Sequence, residues 1–207
     1  MKINILKARF SRQTLKETKN RGHDPPEYMT TDLTIRQPTD TDGPKVHRLI
    51  ARCASLDDNS RYCNLLQCTH FSATSAVAEL DGEIVGVLAA YFLPDHQNTL
   101  FVWQVGVDER VRGLRIATRL LFDVLARIDC HKVRYVQATV VEDNEPSWAL
   151  FASLAKTLKS RMRHKPLFDR DRHFDGQHDS EMLLTVGPLQ PWHVLPKLVS
   201  QVIPEKA

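Results

Sequence analysis

Eight residues in the middle of the chain, Asp108-Glu109-Arg110-Val111-Arg112-Gly113-Leu114-Arg115, separate a stretch of strand-like alternation from a stretch of helical spacing. Three arginines and a glycine thus stand directly ahead of a helix expected to begin at Ile116. The first N–H groups of a helix lack intrahelical acceptors, and the peptide dipoles leave partial positive charge there, so such a turn suits a phosphate. Glycine at position 113 lets the main chain approach an anion closely. On local grounds a solvated basic turn explains these residues equally well. Toward the C-terminal end, His173, His178 and Glu181 group three side chains able to bind a metal or move a proton. Neither a cysteine nor a second carboxylate is placed to complete a metal set, and Cys63, Cys68 and His70 lack the paired short spacings of a zinc site, so no metal is expected. Glu181 is then either a base or an ordinary solvent-facing strand residue. Trp103 and Gln104 lie just before the basic turn, where a small molecule could pack on the indole, although a tryptophan on a central strand is more often core.

These residues need a scaffold, and the apolar spacing supplies one. Leu33–Arg36 alternates as a short strand, and after Gly43-Pro44 the positions Val46, Leu49, Ile50 and Cys53 follow helical spacing. Asn59 or Ser60 caps a second helix carrying Tyr62, Leu65 and Leu66. Two runs, Ser75–Leu80 and Ile84–Tyr91, flank Asp81-Gly82, a hairpin signal. Thr99–Val107 alternates as a long strand, Ile116–Ile128 carries a helical apolar stripe, and the β-branched run Val133–Val140 reads as a buried strand. Asn144 caps a helix with Pro146 in its first turn, and Glu181–Val186 closes the order as a last strand. The order β-α-α-β-β-β-α-β-α-β is that of an α+β domain with a mainly antiparallel sheet. Residues 1–30, broken by Gly22, Pro25 and Pro26, read as an arm. Residues 31–188 form the domain, and 189–207 a proline-punctuated tail.

Composition narrows the class of function. The 207 residues suit one domain, with 42% hydrophobic and 26% charged residues, as in an ordinary globular protein. A net charge of +3 is too small to argue for nucleic acid, yet it suits an anionic ligand if the basic residues are focused. No apolar run approaches the roughly 20 residues of a membrane span, and the N-terminus lacks the apolar core of a secretory signal. Four cysteines without a disulfide framework point to a reducing cytoplasm.

The turn in its context resembles the pyrophosphate-binding segment of the GNAT acetyltransferases. A strand ending Val105-Gly106-Val107 leads into Arg112-Gly113-x-x-Ile116-Ala117, against a family pattern of Gln/Arg-x-x-Gly-x-Gly/Ala. Arg112 and Ala117 match its first and last positions, whereas Arg115 replaces the middle glycine. A second matching segment is Asn144-x-x-Ser147-x-x-Leu150-Phe151, behind strand Val133–Val140. The resemblance implies the GNAT fold, a mixed and mainly antiparallel sheet flanked by helices, with acetyl-CoA as co-substrate. It also implies cofactor contacts at Val105, Val107, Arg110, Arg112, Gly113, Arg115, Ala117, Asn144, Ser147 and Phe151. In many members the position of Phe151 is a tyrosine that protonates the departing thiolate. Phe151 has no hydroxyl, so that role does not carry over, although a thiolate with a pKa of about 8.5 leaves tolerably well unaided.

Further segments resemble one branch of that family, the diaminobutyrate acetyltransferases of ectoine biosynthesis. These are Leu56-Asp57-Asp58-Asn59-Ser60-x-Tyr62, Thr74-Ser75-x-Val77-Ala78-Glu79, Phe101-x-Trp103-Gln104-Val105 and His173-Phe174-x-Gly176-x-His178-Asp179-x-Glu181. The similarity extends over about residues 33–188. It implies L-2,4-diaminobutyrate as acceptor, with Asp57, Tyr62, Trp103 and Gln104 as binding residues, and a homodimer with no nucleic-acid or membrane partner. By residue type alone Asp57 could as well cap a helix, and Tyr62 could be an amphipathic helix residue whose hydroxyl reaches water. An amine of this kind has a pKa of about 10.4, so a proton must leave before it can attack a thioester. Glu181 is the expected base, with His178 orienting it or relaying protons. A backbone N–H on the Trp103–Val107 strand is the expected donor to the thioester oxygen. No single arginine stands out as partner for the acceptor's carboxylate.

Overall fold

A computed structural model describes residues 33–53 and 59–190. Its strands are β1 (Thr34–Arg36), β2 (Ala76–Leu80), β3 (Glu83–Leu93), β4 (His96–Val107), β5 (Tyr135–Val141), β6 (Met162–Phe168) and β7 (Glu181–Val186). Its helices are α1 (Gly43–Arg52), α2 (Arg61–Thr69), α3 (Ile116–Ala126), α4 (Glu145–Thr157) and α5 (Arg170–Phe174). Every expected element is present, and β6 and α5 are additions. The arm at 1–30, Asp57 and most of the tail lie outside the described residues.

The two additions were invisible for physical reasons. The sequence of β6, Met-Arg-His-Lys-Pro-Leu-Phe, has no apolar alternation because the strand is exposed along almost its whole length. It is the sheet's last strand, the place where a residue such as Pro166 is tolerated. With only five residues, α5 is too short for a helical period to register. A smaller difference concerns α3, which stops at Ala126 instead of Ile128. Arg127 leaves the helix and donates its guanidinium to the carbonyl oxygens of Ser72, Ala73 and Ser75.

The strands form one sheet in the order β1-β2-β3-β4-β5-β7-β6. All neighbours are antiparallel except β4 and β5, which run parallel. The β2–β3 turn has φ of 51° at Asp81 and 79° at Gly82, the primed geometry that an Asp-Gly pair favours. One face of the sheet carries α3 and α4 over the larger core, which includes Leu88, Val102, Val105, Leu120, Phe151 and Leu184. Against the other face, α1 packs Val46, Leu49 and Ile50 onto Val77 and Val87. At Gly86 a Cβ would lie 2.7 Å from the Ile116 side chain, so the absence of a side chain there lets α3 seat against β3.

Two irregularities in β4 create the site. The ladder between β4 and β5 covers only Thr99–Phe101 against Tyr135–Gln137. Beyond it β4 continues to Val107 and β5 to Val141 without pairing to each other, and the two strands part. The register on the β3 side also slips, because Ala89 pairs with Gln104 and Ala90 with Val102, leaving Trp103 as the extra residue of a β-bulge. Val102 and Val105 both belong to the core under α3. The bulge therefore turns two successive side chains, Trp103 and Gln104, toward the α1–α2 face.

Candidate active site

A cavity of about 660 Å³ opens beside the parted ends of β4 and β5. Its floor comes from distant strands: Tyr91 of β3, Phe101 and Trp103 of β4, Thr139 of β5 and Glu181 of β7. The wall on one side is the segment through Leu167, Phe168, His173 and Phe174, which belongs to the two elements the sequence concealed. Aromatic rings hold one another in place. Trp103 lies 6.2 Å from Phe71 and 6.1 Å from Tyr91, the latter edge-on, both within the range of favourable ring contacts. Burial raises the Tyr91 phenol above its ordinary pKa, which keeps the hydroxyl protonated.

Glu181 is 1% exposed, which excludes the solvent-facing alternative. Its Oε1 lies 3.9 Å from Nε2 of His178. The other ring nitrogen of His178 donates to the Asp179 carbonyl oxygen at 2.6 Å, because a carbonyl can only accept. In the neutral ring this leaves the lone pair on Nε2, on the side of Glu181. The Phe174 ring packs on His178 at 4.6 Å and fixes its plane. Trp103 and Glu181 are thus brought to one cavity from separate strands, with His178 three positions before Glu181 and 3.9 Å from it.

Gln104 is 1% exposed, and its Oε1 accepts from Asn59 Nδ2 at 3.0 Å. It adjoins Trp103 on the same face but is not part of the cavity lining. Tyr62 stands on α2 at 69% exposure and is not part of the cavity lining. Phe71, Tyr91, Phe101 and Phe174 were not singled out as site residues. Each reads as an ordinary core aromatic, and no spacing rule links strands this far apart.

Beyond β4, the basic turn is held from within. Asp108 is 7% exposed, and its carboxylate accepts from the Arg110 backbone N–H at 3.0 Å and from the Arg110 guanidinium at 3.0 and 3.1 Å. Arg52 adds a contact at 3.3 Å. The hydrogen bonds from Arg110 and its charge hold the Asp108 carboxyl down to about 2. Arg110 also pairs with Glu83, so this arginine is committed to protein carboxylates. Arg112 pairs with exposed Glu109 at 2.7 Å, a contact that water screens. Arg115 takes φ of 55°, the left-handed conformation suited to a glycine, and Gly113 takes 88° with open space around it.

With Arg115 in that conformation, α3 starts without a side-chain cap, and its first backbone bond runs from Arg119 N–H to the Arg115 carbonyl. The N–H groups of Ile116, Ala117 and Thr118 precede that bond and face outward as potential anion donors. Across the strand gap, Asn144 caps α4 by accepting from Ser147 N–H at 3.2 Å. Asn144 Nδ2 is buried without a partner among the described residues, a donor available to a ligand lying between β4 and β5. Ser147 and Phe151 are fully buried, with Phe151 in the core. Of the strand positions, the Val105 side chain is in the core and Val107 is half-buried, so both would meet a ligand through the backbone. An open strand edge, a helix start with unused N–H groups and a buried orphan amide fit a long phosphorylated thioester.

The split between two parallel strands, with an anion-binding turn at its end, defines a class. The chain matches the acetyltransferase (GNAT) family over residues 44–155 and belongs to that family. Within it, the chain is 46% identical to the L-2,4-diaminobutyric acid acetyltransferase of Methylotuvimicrobium alcaliphilum, over 76% of this chain and 92% of that protein. The enzyme of the same name from Vibrio parahaemolyticus is 43% identical over 73% of this chain and 84% of its own length. Among solved structures, the diaminobutyrate acetyltransferase EctA from Paenibacillus lautus, in complex with its substrate L-2,4-diaminobutyric acid and coenzyme A, superimposes with a TM-score of 0.73. It is 35% identical, covering 76% of this chain and 96% of that one.

Proposed function

We propose that this chain transfers the acetyl group of acetyl-CoA to the 4-amino group of L-2,4-diaminobutyrate, giving 4-acetamido-2-aminobutanoate in ectoine biosynthesis. The observation that carries the reading is one cavity, beside the β4–β5 split, that holds a buried carboxylate and a half-buried indole together. The relatives named for this reaction supply the acceptor's identity.

Acetyl-CoA brings the acetyl thioester, and the residues that would hold it are Arg112, Arg115 and the N–H groups opening α3, with Asn144 across the gap. Glu181 accepts a proton from the acceptor ammonium, and the Nε2 lone pair of His178 provides the next station for it. Trp103 presents its ring to the cationic chain of the acceptor, an attraction worth about 1 kcal/mol. Backbone N–H groups on the unpaired edge of β4 are donors for the thioester oxygen.

We place the domain at 31–188, although Leu189, the first residue of the tail, still packs in the core and donates its N–H to the Arg134 carbonyl oxygen. We place the chain in the cytoplasm on its cysteines, all four of which are free thiols. Burial pushes Cys68 up to about 12 and Cys130 up to about 11, so neither is primed for oxidation. We infer that two copies pair, with β6 as the open edge of the sheet.

Thiol release from acetyl-CoA, measured over an amine panel, tests the assignment. Diaminobutyrate should give the highest kcat/KM among ornithine, lysine, putrescine and 1,3-diaminopropane. Equal rates across the panel would remove the assigned acceptor, and no release with any amine would leave a non-catalytic acyl-CoA-binding role.

A further inference from the structure

Diaminobutyrate carries a carboxylate that takes no part in the reaction but must be accommodated wherever the amine is bound. In a cavity lined mainly by aromatic rings, an unpaired carboxylate is costly. Among the described residues the lining includes neither a lysine nor an arginine. The side-chain donors among the described lining residues are the hydroxyls of Thr139 and Tyr91, the indole N–H of Trp103, and His173.

Depth separates these candidates. Glu181 and Thr139 lie on the sheet floor at 1% and 6% exposure, next to the gap through which the thioester would be reached. The amine that meets the thioester belongs at that level, and the carboxylate end must point back toward the opening. His173 stands there, on α5 at the exposed rim.

The backbone also fixes which edge of this ring can donate. The Asp169 N–H donates to Nδ1 of His173 at 2.8 Å, so Nδ1 is an acceptor and the ring proton sits on Nε2. The turn that presents this N–H is rigid, because the Asp169 carboxylate accepts in turn from the Asp171 and Arg172 N–H groups. His178 is held in the opposite tautomer by its bond to the Asp179 carbonyl. Two imidazoles five positions apart are thus locked by main chain into complementary roles. His178 turns a lone pair toward Glu181, and His173 keeps an N–H for a ligand. The rotor hydroxyls of Thr139 and Tyr91 have no such fixed direction.

We propose that Nε2–H of His173 binds the carboxylate of the acceptor amino acid, making this residue the determinant that separates an amino-acid acceptor from a simple diamine. The inference rests on diaminobutyrate being the acceptor. The test compares kcat/KM for diaminobutyrate with that for 1,3-diaminopropane, the same diamine without its carboxylate. In the wild type diaminobutyrate should be strongly preferred. His173→Phe, which keeps a ring but removes the donor, should reduce that preference by about 10–100-fold, mainly through KM, as expected for a lost charge-assisted hydrogen bond. His173→Gln, whose amide N–H lies near the position of Nε2, should retain part of the preference, and His173→Asn, whose amide N–H lies near Nδ1, should not. The Gln and Asn pair stands as the test if the phenylalanine variant does not fold. A preference that survives in His173→Phe, or a Gln variant no better than the Asn variant, overturns the inference while leaving the acceptor assignment intact. A wild-type enzyme indifferent to the carboxylate overturns both.

Discussion

The acceptor cavity and the cofactor turn are neighbours built on opposite plans. The cavity draws on side chains from β3, β4, β5 and β7 and on the wall around α5, with the Glu181 carboxylate buried among rings. The turn is a single run of residues from Asp108 to Arg115, largely exposed, whose proposed binding groups are main-chain N–H groups and loosely paired arginines. A buried carboxylate in an apolar surround acts strongly on whatever enters, because little water competes with it. Exposed arginines act weakly and through salt-screened fields. Chemistry should therefore be concentrated in the cavity, and affinity for the nucleotide end spread thinly over the turn.

Glu181→Gln should break this picture most sharply if the contrast is wrong. It keeps the size of the side chain but removes the ability to accept a proton, so kcat/KM for diaminobutyrate should fall by about 10²–10⁴-fold. Acetyl-CoA affinity should be unchanged, and the residual rate should rise with pH as free amine becomes available. A near-normal rate at neutral pH would move the base to His178 or to a held water.

Acid should weaken the fold through the turn and through the sheet edge near β1. Asp108 and Asp42 both have carboxyls held down to about 2, by Arg110 and by Arg36 respectively. A depressed folded-state pKa gives stability that is complete above the unfolded value of about 3.9 and is lost as pH falls through the folded one. Melting temperature should accordingly drop between pH 4 and pH 2 (approximate bounds from the same values), and Asp108→Asn should flatten part of that drop. A profile identical in the variant would show that the ion pair contributes nothing.

Smaller effects distinguish the two ends of the site. Trp103→Ala should raise KM for diaminobutyrate by about tenfold, the scale of a cation–ring contact, while acetyl-CoA still binds. Joint replacement of Arg112 and Arg115 by alanine should weaken acetyl-CoA by about tenfold at low salt and spare acetyl-pantetheine, which lacks the nucleotide phosphates. Equal loss with both ligands would remove phosphate recognition from the turn. The smallest effect is expected from Arg115→Gly. Relief of the left-handed strain at φ 55° should stabilise the fold by about 1 kcal/mol, read as a higher midpoint in urea, at some cost in nucleotide affinity.

Much of this protein was legible in the sequence, because local rules sufficed. Asp81-Gly82 marks its hairpin, Asn144 and Ser60 cap their helices, and the basic turn precedes α3, all through interactions spanning a few residues. A resemblance alone points to Glu181 and His178, and neither the burial of Glu181 nor the 3.9 Å between the two is deducible from spacing. Tertiary structure alone decided the rest. The bulge that turns both Trp103 and Gln104 to one face depends on the register with β3, and the parting of β4 from β5 depends on where a parallel ladder ends. An edge strand with no buried face leaves no periodic trace, so β6 and the wall through His173 and Phe174 emerged only once β7 had a partner to hold in place.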